Sequence, residues 1–370
     1  MEIPQLKNII QLQIFFVTWF LSEVFLFLAI RIANRFHLHD KPDGIRKIHT
    51  QPIPTIGGLP IFLAFIMGIY FTQEGLDVMM PMLIGAFICM ILGLIDDIKP
   101  ISAVIKLIVL FIVTAVIYFY SDVSVRLTPF EIVNIVISLF WIVGMMSAIN
   151  SLDNMDGLAA GITAIACFFI FLIAWVHWQR WLSFMSVALL AGCLTFLKYN
   201  FFQSRAGIFL GDNGSYFIGF ILACMAMMGA WTNPSAEFSV NERLIKAILV
   251  PPLLLGVPIF DIITATILRL VNGEVSTVKD AIIYCGKDHT SHRLVALGFT
   301  KRQAVIVLWV MGITLGVVSL LIQGSQQPKV YLTLAALTFS LLIGFAFILN
   351  KAKVYDHQLE KLDHPVDNTL

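Results

Sequence analysis

Charge is what this sequence has least of. Lys, Arg, Asp and Glu together make up 13% of its 370 residues, about half of what a soluble domain uses to cover its surface. The length could hold two soluble domains, but no polar stretch is long enough to be one. No basic patch with interleaved aromatics occurs, which argues against a nucleic-acid partner. The formal net charge of +1 carries no information about partners. Cysteine is also scarce. Cys89, Cys167, Cys193, Cys224 and Cys285 are scattered, the first four within apolar runs. They match neither a metal site nor a disulfide framework and read as small packing residues. The N-terminal segment (Met1–Gln11) lacks the basic stretch and small-residue cleavage site of a signal peptide, so the first apolar run is expected to stay as an anchor.

What is abundant is apolar surface. Hydrophobic residues make up 59% of the chain and the mean hydropathy is +0.89. A bilayer core needs about 20 apolar residues in helix, and such runs recur throughout. The expectation is an all-α polytopic membrane protein of about eleven transmembrane helices. They are placed at Leu12–Ile32, Gly57–Phe71, Val78–Ile95, Ser102–Tyr120, Phe130–Ile149, Leu158–Val176, Trp181–Leu197, Ser215–Trp231, Leu244–Val271, Ala304–Ile322 and Val330–Leu349. On that topology, only Lys7, Arg126, Arg180, Arg243, Lys246 and Lys329 of the 24 Lys and Arg residues fall on the side of the N-terminus. The richer side is cytoplasmic by the positive-inside rule. The N-terminus is then outside and the C-terminus cytoplasmic. Residues 1–350 read as one transmembrane domain and 351–370 as a polar cytoplasmic tail.

The polar motifs gather on the cytoplasmic side. Asp96-Asp97 ends the third span. Adjacent carboxylates repel unless a cation is near, and they oppose the dipole at a helix C-terminus; solvated capping acids are the plainer alternative. In Asn150-Ser151-Leu152-Asp153-Asn154-Met155-Asp156-Gly157, the two aspartates share one helical face. No Lys or Arg lies near them in sequence, so a bound cation or a cationic neighbour brought by the fold is implied. Phe209-Leu210-Gly211-Asp212-Asn213-Gly214-Ser215 opens the eighth span, where glycines permit close backbone approach and a helix N-terminus favours phosphate; any tight turn reads the same way. Lys287-Asp288-His289-Thr290-Ser291-His292-Arg293 lacks the further ligands of a zinc site. It reads as a phosphate contact or as a solvated basic loop. Asp40–Gly58, with Arg46, Lys47 and His49, is a phosphate-binding lip or a positive-inside anchor. Asp261, beneath Pro258 in the ninth span, is an intramembrane acid and so a functional candidate. Glu23 needs no more than a pairing partner.

Taken in order, these residues resemble a known family. The set is Arg46, His49, Pro54, Gly57-Gly58, Asp96-Asp97-x-Lys99, Asn150-x-x-Asp153-x-x-Asp156-Gly157, Asn200, Phe209-x-Gly211-Asp212-x-Gly214-Ser215, Pro258-x-x-Asp261 and His289/His292. It resembles the polyprenyl-phosphate N-acetylhexosamine-1-phosphate transferases over about Asp40 to Leu294. That family includes the phospho-MurNAc-pentapeptide transferase of peptidoglycan synthesis and the GlcNAc-1-phosphate transferases that start O-antigen and teichoic-acid assembly. Four departures stand out: Ser291 where the family often has His, Asn154 where it often has Gly, Ser147 where it often has Asn, and a loop from Asn200 to Asp212 about two residues longer. The missing third histidine points away from the peptidoglycan enzyme.

The resemblance implies transfer of a sugar-1-phosphate, GlcNAc favoured, from a UDP-N-acetylhexosamine to undecaprenyl or another polyprenyl phosphate, with UMP released. It implies Mg²⁺, with Mn²⁺ as a substitute, a bacterial inner (cytoplasmic) membrane location and a homodimer. By carry-over, Asp212 is the expected metal ligand, with Asp156 beside it. Asp96 and Asp97 lie at the acceptor phosphate, and Asp153 and Asp156 at the donor or metal. Asn150, Asn200, His289 and His292 contact the diphosphate or nucleotide, and Arg46, Lys47, His49, Lys99, Asp261 and Arg293 complete the substrate-binding set. A secondary transporter is the competing class. Its coupling acids would lie at the bilayer midplane within inverted repeats, whereas most of these acids sit at cytoplasmic helix ends and the halves show no repeat. A lipid-binding scaffold is a third reading.

Overall fold

In the computed structural model, residues 4–36, 53–70, 75–121, 123–124, 127–229, 231, 240–284, 286–352 and 354 are described. Among them the chain is all-helical: α1 (Pro4–Phe36), α2 (Gly58–Tyr70), α3 (Leu76–Ile98), α4 (Ala103–Tyr120), α5 (Glu131–Leu152), α6 (Leu158–Val176), α7 (Arg180–Asn200), α8 (Gly211–Met228), α9 (Val240–Leu254), α10 (Gly256–Val271), α11 (Val278–Ile283), α12 (Thr290–Ala296), α13 (Lys301–Gly324) and α14 (Pro328–Leu349). Local signals mark several starts. The Ser102 hydroxyl accepts from the Ile105 amide at the start of α4, a capping box from Thr300 to Gln303 opens α13, and Pro328 sits in the first turn of α14. Each satisfies or removes an N–H that would otherwise be orphaned.

Eight helices (α1, α3, α4, α5, α6, α7, α13 and α14) are long and apolar enough to cross a bilayer, and α9 with α10 makes a ninth if the bent pair is one span. This is a multi-pass membrane protein. Every expected span falls on a helix, but two are too short or too polar to qualify on these criteria. α2 has only 13 residues, and α8 opens on the polar stretch Gly211–Ser215. The ninth span, expected to run straight from Leu244 to Val271, is broken: α9 and α10 meet at 78°. Pro251 and Pro252 lie inside α9, and proline both removes a ladder hydrogen bond and clashes with the preceding turn.

α8 is the centre of the bundle, packed between α3 and α5 with α2 alongside; α1 and α6 pack on α7, and α13 packs on both α6 and α9. From Asn213 to Ala226 every residue of α8 is buried. α14, by contrast, exposes Leu337, Phe339, Leu341 and Phe347, as a helix facing lipid does. Two charges that looked isolated in sequence are paired within the bundle. Glu23 of α1 takes hydrogen bonds from Lys198 and from Tyr199 Oη (2.7 Å) on α7. Lys246, wholly buried, donates to the carbonyls of Gln323 (2.9 Å) and Ser325 (2.5 Å), neutralising the negative end of α13. Placing Asp212 at the start of the central helix brings the ends of α3, α4 and α5 around it.

Candidate active site

The entry to α8 is built by backbone contacts. The segment before α2 pairs with the segment before α8 through Phe209 N to Pro54 O (2.7 Å), Gly57 N to Phe209 O (3.0 Å) and Gly58 N to Leu210 O (3.0 Å). Gly211 then turns with φ +75°, and a Cβ there would lie 2.1 Å from the Thr55 carbonyl and 2.7 Å from Asp97 Oδ2. Only glycine fits both constraints. Asp97 caps the helix it faces: its carboxylate accepts from Asp212 N and Asn213 N (3.0 Å each) and from Asn213 Nδ2 (2.6 Å). Both oxygens of Asp97 are thereby engaged at the positive end of α8, where they hold the backbone of Asp212 in place.

Asp212 is gripped from two sides. Asn150 Nδ2, at the end of α5, donates to Oδ1 at 2.7 Å and to Ser215 Oγ at 2.9 Å. Lys106 of α4 approaches Oδ2 at 3.5 Å and holds Asp96 Oδ2 at 2.7 Å. Asp96 Oδ1 accepts from the Ile101 amide at 2.6 Å. Tyr216 stands one turn further along α8, where the charge of Asp212 reaches its hydroxyl. Asp153, just past the end of α5, completes the group against the backbone of Gly211. Burial, first, and then the charges of Asp212, Asp97 and Asp156 push its carboxyl up to about 8. Asp96 and Asp212 thus meet at the ammonium of Lys106, with Asp97 on the amide of Asp212 and Asp153 close by.

That surplus of negative charge is the observation against which magnesium is tested. Among the described residues no three His, Cys, Asp or Glu side chains are arranged to hold a metal ion by themselves. Mg²⁺ does not need such a cage: it takes one or two carboxylates and fills its remaining positions with water and substrate phosphate oxygens. Asp212, with fixed oxygens in an acidic setting, fits that demand. Asp156 does not stand with it. Asp156 is solvent-exposed and lines a separate hollow of about 80 Å³ with Arg205, Lys301 and Arg302.

The turn from Asp153 to Gly157 is held from beneath. Asn200 is buried; its Oδ1 accepts from Gly157 N at 2.5 Å and its Nδ2 donates to Ile208 O at 2.8 Å. Expected at the nucleotide, Asn200 instead spends both ends of its amide on backbone. The histidine segment rests on a buried ionic scaffold. Asp261, 1% exposed, accepts from His289 Nδ1 (2.8 Å) and from the Thr290 amide (2.7 Å). Arg269 grips Asp288 with two bonds of 2.6 Å, and Tyr284 lies under its guanidinium at 5.0 Å. Arg293, expected to touch substrate, is fully buried and donates to the Asp288 carbonyl at 2.7 Å; it supports the segment from inside. His292 keeps its partial exposure, but burial and the neighbouring His289 and Lys287 lower its pKa to about 4, so it offers a neutral imidazole and no positive charge. Lys99 is exposed at the C-cap of α3. Arg46, Lys47 and His49 lie outside the described residues.

Four contributors had escaped sequence reading: Lys106, Tyr216, Arg269 and Asp288. Lys106 and Arg269 had been counted only as positive-inside charges. Asp288 was seen within the histidine motif but given no role, and Tyr216 directly follows the Gly211–Ser215 motif. Their one available signal was a polar residue on an otherwise apolar helix or beside a motif.

The glycosyl transferase family 4 model matches residues 79–230, which span every aspartate of the cluster around Asp212. A Mycobacterium tuberculosis (strain CDC 1551 / Oshkosh) protein named "Decaprenyl-phosphate N-acetylglucosaminephosphotransferase" is 30% identical over 308 residues, 74% of each chain. The chain belongs to glycosyl transferase family 4. A Bacillus subtilis (strain 168) protein named "Probable undecaprenyl-phosphate N-acetylglucosaminyl 1-phosphate transferase" is 28% identical over 304 residues, 80% of each chain. A Salmonella typhi protein named "Undecaprenyl-phosphate alpha-N-acetylglucosaminyl 1-phosphate transferase" is 25% identical over 305 residues, 78% of this chain and 77% of its own. This family 4 protein is therefore a membrane transferase, with its cluster of acids at the helix ends as the candidate centre.

Proposed function

We propose that this family 4 protein transfers N-acetylglucosamine-1-phosphate from a UDP-sugar to undecaprenyl or a related polyprenyl phosphate, releasing UMP and starting a lipid-linked cell-envelope glycan. The carrying observation is the grip of Asn150 and Lys106 on Asp212 at the start of the central helix, and the names of the relatives support the substrates. In this reading an oxygen of the acceptor phosphate attacks the sugar-bearing phosphorus of the donor. The bond from that phosphorus to the oxygen it shares with UMP breaks, and the electron pair leaves with UMP. Two anions must meet, so the site's work is charge compensation and alignment. Magnesium held at Asp212 would supply the positive charge that screens the diphosphate and the departing UMP. Lys106 holds Asp96 and Asp212 apart and contributes its own charge at the point of attack. Asp97 and Asn150 fix the orientation of Asp212. An acceptor phosphate is already largely ionised at neutral pH, so no strong general base is needed. We take the chain to cross the bilayer eleven times, α2 and α8 being the short crossings and α9–α10 the broken one, with the N-terminus outside and the site facing the cytoplasm. This places the acids where a lipid phosphate and a soluble nucleotide-sugar both reach them.

The test is transfer of label from a panel of radiolabelled UDP-N-acetylhexosamines into undecaprenyl phosphate, in membranes expressing the protein. Chelator-sensitive label from UDP-N-acetylglucosamine, abolished by Asp212→Ala with the protein still folded, is the expected result. Full transfer by Asp212→Ala would overturn the role of Asp212. Label from no donor would overturn the transferase reading for these substrates.

A further inference from the structure

Two polar side chains, one buried and one half-buried, join the aspartate turn to the histidine segment. Ser291, fully buried in the first turn of α12, donates its hydroxyl to Asn154 Oδ1 at 2.7 Å. Asn154 in turn donates its Nδ2 to the Ser151 carbonyl at 2.7 Å, which fixes the amide within its own turn. Asn154 stands between Asp153, which faces Gly211, and Asp156, which opens onto the basic hollow. Ser291 stands between His289, clamped by Asp261, and His292. The bond therefore spans two units, each already rigid: the α5–α6 turn held by Asn200, and the α10–α12 scaffold held by Asp261.

We propose that the Ser291–Asn154 bond is a positioning device that sets the gap between these two units, and with it the fit of the nucleotide-sugar diphosphate between them. The proposal rests on the transferase reading above. Its physical ground is directionality. α12 packs on α10, α13 and α14, and apolar packing of that kind tolerates small slides. A hydroxyl-to-amide bond weakens steeply with distance and angle. Loss of Asn154 leaves the buried Ser291 hydroxyl without this acceptor, and loss of Ser291 frees Asn154 Oδ1 to water, so in either case the tie across the gap is gone. Neither side chain belongs to the cluster around Asp212, so this loss should weaken donor binding and leave the chemical step alone.

The test uses the full chain in detergent with UDP-N-acetylglucosamine and undecaprenyl phosphate. Donor KM, acceptor KM, kcat and Tm are measured for Ser291→Ala, Asn154→Ala, the double variant and Ser291→Thr. Each single change should raise donor KM about fivefold or more, with kcat and acceptor KM close to the parent. The double variant should be no worse than the worse single, since one bond is lost in all three. Ser291→Thr, which keeps the hydroxyl, should restore donor KM. Unchanged donor KM, additive losses, or a fall in kcat that tracks Tm would each overturn the proposal. A parent protein with no transfer at all overturns the transferase reading, and this proposal with it, before any substitution is compared.

Discussion

Asp212 receives Asn150 on one oxygen and Lys106 on the other, so its position is set by groups 62 and 106 residues away in sequence. Replacing Lys106 with Met keeps the length and removes the charge. Asp96 and Asp212 then face each other unscreened, and transfer should fall about a hundredfold, mostly in kcat, the scale seen when one preorganised electrostatic partner is removed. Lys106→Arg should retain more of the rate than Lys106→Met; equal rates in the two would show that the charge plays no part. Asp153 gives a pH test. Its carboxyl is pushed up to about 8 by burial and by Asp212, Asp97 and Asp156, so the folded protein favours the protonated form. Its contribution to stability is then full below the ordinary carboxylate range and fades as pH rises through about 8. In chelator-treated protein, Tm should fall as pH rises from about 5 to about 8 and level off above that, and Asp153→Asn should flatten that fall. An identical pH profile in the variant would remove Asp153 as its source.

Helices were the legible part of this molecule, because each apolar run long enough for a bilayer came out helical, mostly near its expected ends, although α1 starts at Pro4 rather than Leu12 and the ninth run is two helices. α6 falls on the expected bounds, Leu158–Val176. The break between α9 and α10 was missed although Pro251, Pro252 and Gly256 were in plain view. Membrane helices tolerate such residues when neighbours satisfy the freed backbone, so composition alone leaves kink and continuity undecided. Contact between elements leaves a sharper trace. At Gly93, where α3 crosses the first turn of α8, an added Cβ would stand 2.3 Å from the Asp212 carbonyl and 2.4 Å from Asn213 N. Both atoms are backbone, so α3 itself must shift. Gly93→Ala should cost about 1–3 kcal/mol of stability and depress transfer, while Gly144→Ala, with nothing within 4 Å, should do neither. Matching Tm values for the two would show that the α3–α8 contact is looser than described.

At the scale of the whole molecule, sequence order picked out motifs that the fold brings together but not which of their side chains face outward and which face the backbone. Asp96, Asp97, Asp153 and Asp212 do converge, because α3, α5 and α8 pack side by side with their polar ends level. Asn200 and Arg293, expected at substrate, turned out to be buried supports; a polar residue in a motif reads alike whether it faces a ligand or the backbone behind it. Topology is the property that binds these scales together, since a nucleotide-sugar donor reaches the site only if the ends of α3 and α5 and the start of α8 face the cytoplasm. Lys99, at the end of α3, and Lys329, at the start of α14, are both exposed and should lie on opposite sides of the membrane. The four described cysteines are buried, so a Cys285→Ser parent is a suitable background for single-cysteine labelling. A membrane-impermeant maleimide should label Lys329→Cys in intact spheroplasts and Lys99→Cys only after permeabilisation. The reverse pattern would place the aspartate cluster outside, away from any cytoplasmic nucleotide, and the proposed donor would have to be abandoned.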